Sequence, residues 1–212
     1  MTVACRSAFV ACPTYSASVI TAADDAPEAF ARALASLRAT PVRPDLRLSE
    51  VPGPARVAPY AAALDGSLLR AGSPAQDEDE LADGRFLVLH DPAGQDEWEG
   101  TFRVVTLVRG DVDAEMGSDP MLNEVAWTWT LDSIADQVGD VDVLGGTVTR
   151  VVSQTFGAMA GRGDRVEIEI RASWTPRTTD LGAHLLAWEQ MLAAVAGVPR
   201  LPEGVRTLRP FR

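Results

Sequence analysis

The 212 residues carry 46% hydrophobic and 23% charged side chains, enough for one compact unit whose core needs no metal or disulfide staple. Thirty acidic against nineteen basic residues give a formal net charge of −11 and a pI near 4.6, so the surface repels DNA and anionic lipid, and RNA is a disfavoured partner. No stretch reaches the roughly 18 apolar residues of a membrane helix, and the apolar centre of MTVACRSAFVACPTY is too short for a signal peptide, so a cytoplasmic location is expected.

Residues 1–26 show no clear period and read as a variable segment ahead of the domain. Both cysteines, Cys5 and Cys12, lie in it, and with two histidines in the whole chain they read as free thiols and not as zinc ligands. Phe9-Val10-Ala11-Cys12 is similar to a lipoprotein cleavage site, but the apolar stretch before it is only a few residues long. Pro27 opens a helix over 27–38, with Phe30, Leu34 and Leu37 at helical spacing. Leu46 to Val51 alternates and fits a short edge strand in a proline-rich passage. The alanine-rich stretch after Pro59 places Tyr60, Leu64 and Leu68 on one face and predicts a second helix over 58–70. Gln76 to Glu80 is an acidic run without the ligand spacing or glycine of a calcium loop, and reads as a solvated loop.

Phe86–Leu89 and Phe102–Val108 are apolar runs that predict two buried strands joined by a loop of about ten residues. Over 121–138 the order Trp127-Thr128-Trp129-Thr130-Leu131 alternates like a strand, whereas Leu122, Val125, Ile134 and Val138 fit a helical face. Ser118-Asp119-Pro120 supplies a cap and a first-turn proline, which favours the helix. Gly145-Gly146 punctuates before a strand from Thr147 to Ser153. From Arg165 to Trp174 apolar and charged residues alternate strictly, as in a sheet with one wet face. Asp180 caps a last helix whose stripe is Leu181, His184, Leu185, Trp188, Leu192 and Val195, and Gly197 is placed to end it in a left-handed conformation. Residues 198–212, with three prolines and four arginines, have the composition of a mobile tail. The order of elements predicts a single α+β domain over 27–197: a mainly antiparallel sheet of four to five strands with three to four helices packed largely on one face.

All nineteen basic residues are arginine, which removes Schiff-base and phosphate-loop lysine chemistry. No Gly-x-Ser-x-Gly elbow and no dinucleotide-binding glycine pattern occurs, so no cofactor and no metal is expected. The candidate functional loop is His90, Asp91, Asp96, Glu97 and Trp98, in which His90 would act as general base or ligand with the carboxylates assisting. Asp-Pro and Ala-Gly also mark turns, and Asp91 can bond its own backbone, so a shaping role for this loop carries more weight. His184, on an apolar stripe, reads as a core histidine. The tryptophans read as core, except Trp98, which between Glu97 and Glu99 is expected to be an exposed anchor for a partner.

Ala82-Asp83-Gly84-Arg85, Leu89-His90-Asp91-Pro92-Ala93-Gly94, Trp98-Glu99-Gly100-Thr101-Phe102-Arg103, Gly146-Thr147-Val148-Thr149-Arg150 and Ile168 to Pro176 together resemble an actinobacterial family catalogued as domain of unknown function number 3000, over about residues 27–197. The resemblance implies no activity, cofactor or site. The element order is similar to that of small, acidic, often dimeric secretion-chaperone-like folds. The leading expectation is therefore a non-enzymatic protein-interaction module with a protein partner or a second copy of itself. The alternative is a small-molecule-binding protein or enzyme with a pocket near His90.

Overall fold

The strict alternation after Arg165 forms a strand, β6 (Arg165–Thr175), that buries Val166, Ile168, Ile170, Ala172 and Trp174 and turns its charged residues to the other side. A computed structural model describes residues 26–54, 56–70, 80–163 and 165–198, and builds the rest of the domain around this strand. Cys5, Cys12, the acidic run through Asp79 and the tail after Val198 lie outside the described residues. In chain order the other elements are α1 (Glu28–Ala39), β1 (Leu46–Val51), β2 (Tyr60–Leu69), β3 (Glu80–Gln95), β4 (Gly100–Val112), α2 (Ala114–Ser118), α3 (Leu122–Gln137), β5 (Asp142–Ser153) and α4 (Gly182–Val195). The strands form one antiparallel sheet in the order β1-β2-β3-β4-β6-β5. The expected α+β class and one-sided helix packing hold, but the sheet has six strands and not four or five.

The sixth strand is β2, in the segment expected to be a helix over 58–70. Its alanines and the Leu64, Leu68 spacing suit a helix, yet Ala62, Leu64, Gly66 and Leu68 also alternate, and the pairing that decides between the two is tertiary. Gly66 pairs with Gly84 of β3, and the indole of Trp188 lies over both: a Cβ on Gly66 would stand 2.5 Å from Trp188 Cη2. The two missing side chains make the slot that lets α4 settle on the sheet. Trp188 Nε1 donates to the Leu107 carbonyl oxygen at 3.0 Å, which fixes the indole in that slot.

Registers sort the sheet into rows. Tyr60, His90 and Phe102 form one row on the helix side; Ala62, Val88, Val104 and Trp174 form the next, then Leu64, Phe86, Thr106 and Ala172. Phe30, Leu34 and Leu37 of α1, Leu122, Ala126 and Ile134 of α3, and Leu185, Trp188, Met191 and Leu192 of α4 close the core above these rows. Helix α4 ends as expected, with Gly197 at φ +64 and Val198 N donating to the Ala193 carbonyl oxygen at 2.9 Å. Among the described residues, no helix is long and apolar enough to cross a membrane.

On the side away from the helices the charged residues are paired across and along strands: Arg85 with Asp65, Arg109 with Asp83 and Arg165 with Asp111, each at 2.6 Å, and Arg171 with Glu169 at 2.8 Å. Each such pair is worth about 0–1 kcal/mol at the surface, so together they neutralise this face more than they stabilise it.

Candidate functional site

The loop singled out from sequence is a β-hairpin turn, and its side chains diverge. His90, 3% exposed, points into the core, stacked on Phe102 at 4.1 Å between ring centroids and on Phe30 at 5.8 Å. Its Nδ1 lies 2.8 Å from the Thr101 carbonyl oxygen, which can only accept, so Nδ1 carries the proton and the buried Nε2 is left without a partner. Asp91 Oδ1 accepts from Ala93 N at 3.0 Å and Asp91 Oδ2 from Gln95 Nε2 at 3.2 Å, which shapes the turn. Asp96 and Glu97 project into solvent. Trp98 corrects an expectation: it is 8% exposed, in a 3-10 turn (Asp96–Trp98) that closes at the left-handed Glu99 (φ +50). The Trp98 carbonyl oxygen accepts from Thr175 Oγ1, tying the turn to β6.

His184 is also buried, and its Nδ1 accepts from Trp174 Nε1 at 2.9 Å, so its proton sits on Nε2. Burial holds its pKa down, from 6.5 to about 4. The ring contacts of His90 are with Phe30, Tyr60 and Phe102, and that of His184 is with Trp174. Among the described residues no group of three or more His, Cys, Asp or Glu is arranged to hold a metal. The loop therefore places one imidazole in the core and two carboxylates in water, with no shared reaction centre.

Arg103 differs from Arg85, Arg109, Arg165 and Arg171, for among the described residues no carboxylate pairs with it. It donates to the carbonyl oxygen of Val143 at 2.8 Å, to Thr175 Oγ1 at 3.2 Å and to Ser173 Oγ at 2.7 Å. Burial without a counter-ion lowers its pKa. These bonds pin the bulge at the start of β5, where Val143 adopts φ +48.

A surface not anticipated from the sequence lies on α3. Its buried stripe, Leu122, Ala126, Thr130, Ser133 and Ile134, faces the core, while Trp127 flanks it over Gly146 of β5 and Trp129 flanks it on the α4 side. Apolar residues continue on the solvent side, where Val125 is 44% and Leu131 41% exposed, with Met121 at 50% just before the helix. Glu124, Thr128 and Asp132 complete this outer stripe. Between α3 and α4 a shallow hollow of about 90 Å³ is lined by Trp129, Asp132, Ser133, Gln190, Ala193 and Val198 among others. Residues 110–149 hold nine carboxylates and no basic residue, and among the described residues Glu124 and Asp132 form no ion pair. That run of charge was the signal available in the sequence. A second apolar area, Val151, Val152 and Phe156, lies along and beyond the free edge of β5.

The family model described as "Protein of unknown function (DUF3000)" matches residues 26–206, reaching past Gly197 into the arginine-rich tail. No match is found among the curated proteins or among the solved structures.

Proposed function

We propose that this chain, which belongs to the DUF3000 family, is a non-enzymatic protein-interaction module whose docking face is the outer stripe of α3 with the adjoining α3–α4 hollow. The observation that carries the reading is the composition of the solvent side of α3, where Val125 and Leu131, with Met121 just before the helix, are exposed among Glu124, Thr128 and Asp132. Val125 is 44% and Leu131 41% exposed, so covering what remains of each would contribute about 0.6–1.3 kcal/mol. Glu124 and Asp132 beside them select a partner that presents arginine or lysine among apolar residues. The sheet's other face makes a poorer contact surface, because its charges are already matched to one another. The analogy to secretion-chaperone-like modules is weakened by the strand at Tyr60–Leu69, since the expected order on which it rests has a helix there and the observed order is a helix, four strands, a helical pair, two strands and a helix.

The test places a photo-crosslinking amino acid at Thr128, in the middle of the α3 stripe, and at Ser49 on the opposite face, in cells that make the protein. A discrete adduct at 128 that is absent at 49 and is lost with Leu131→Asp is the expected result. Equal labelling at both positions, or none at 128, overturns the reading.

A further inference from the structure

The described chain stops at Val198, and Val198 itself lines the hollow between α3 and α4, beside Trp129 and Asp132. The left-handed Gly197 and the bond from Val198 N to the Ala193 carbonyl oxygen fix where the next residue starts. The sequence continues Pro-Arg-Leu-Pro-Glu-Gly-Val-Arg-Thr-Leu-Arg-Pro-Phe-Arg: four arginines against one glutamate, interleaved with Leu201, Val205, Leu208 and Phe211. This is the chemistry the α3 face selects, basic and apolar together, in an otherwise acidic chain. Fourteen residues reach about 46 Å when extended at about 3.3 Å each, and sixteen residues of α3 measure about 24 Å, so the segment can run the whole length of the helix. The family match continues through Arg206, which puts Arg200, Leu201, Val205 and Arg206 inside the shared domain.

From these observations we infer that residues 199–212 are the intramolecular occupant of the α3 face, and that an outside partner gains the face by displacing them. The inference rests on the reading of α3 as a docking face. Tethering supplies an effective concentration on the order of millimolar, so a contact with an intrinsic Kd below that fills the face in the free chain and raises the partner's apparent Kd by about the ratio of the two. Because the contact pairs arginines with Glu124 and Asp132 near the surface, it loosens as salt rises.

The experiment uses the full chain with Cys5→Ser and Cys12→Ser and a nitroxide attached through Leu208→Cys. Amide signals of α3 are expected to broaden, while those of β2 and β3 are unchanged. The broadening should weaken at high salt and with Asp132→Arg. Intact signals of β6 in the Asp132→Arg variant show that it is folded. Broadening seen only when the nitroxide is on a second, isotopically unlabelled copy means that the face pairs two chains in trans and overturns the intramolecular contact. Absence of broadening at α3 overturns it as well. In either case a persistent crosslink from position 128 to another protein would leave the docking face standing. Loss of that crosslink with broadening retained would instead show that the face serves the tail alone.

Discussion

Acid should destabilise this domain through His184 in a way that one substitution isolates. The imidazole is buried over Trp174, accepts the indole proton at Nδ1, and is held neutral by burial, with Asp180 pulling its pKa slightly back up. In the unfolded chain it titrates near 6.5, and in the folded one near 4. A base with a depressed folded pKa lends its full stability above 6.5 and loses it as the pH falls toward 4. At about 1.36 kcal/mol per pH unit the whole loss is about 3 kcal/mol, of which about 2 kcal/mol has gone by pH 5. His184→Asn keeps an acceptor for Trp174 Nε1 but does not titrate. Urea unfolding at pH 7.5 and pH 5 should therefore cost the parent about 2 kcal/mol more than the variant, since the carboxylates contribute to both and cancel. Equal losses in the two proteins would refute the burial argument.

Three further substitutions test the fold. Gly66→Ala pushes a methyl group into Trp188 and should cost about 1–3 kcal/mol in urea unfolding, whereas a change within about 0.5 kcal/mol would contradict the slot that seats α4. Trp98→Ala should cost about 3–5 kcal/mol as a core truncation, read as a lower melting temperature; a neutral result would mean that the indole is outside after all. Val143→Gly relieves about 1–3 kcal/mol of left-handed strain against about 0.5–1 kcal/mol of added chain entropy, so thermal unfolding should move up, and a clear drop would show that the valine side chain holds the bulge.

Much of the architecture is legible in the sequence because period and burial agree. The alternation of Arg165 to Trp174 needs no context to become a half-wet strand, and α1 and α4 carry their core stripes in plain view. At 122–137 the helix forms as expected but starts later than the sequence suggests: Asp119 Oδ1 accepts from Met121 N at 2.8 Å in a turn ahead of the helix, and Met121, without a side-chain cap bond, takes the N-cap position. Strand β2 misleads because its alanines and leucines satisfy both periods, and the deciding partner, Trp188, lies over a hundred residues away. Trp98 misleads because exposed charged neighbours, Glu97 and Glu99, do not show that in a tight 3-10 turn the residue between them is buried. The α3 surface is hidden for a related reason: apolar residues are spread around the helix among its polar ones, so Val125 serves equally well as a core position.

Hydrogen exchange on the complex purified from its native cells, set against the free chain at high salt, where the contact of residues 199–212 is loosened, tests the docking face most directly. The account expects slowed exchange over α3 and the last turn of α4, with the β1 and β2 amides unchanged. Protection confined to β1 and β2, with α3 exchanging as in the free chain, would contradict it.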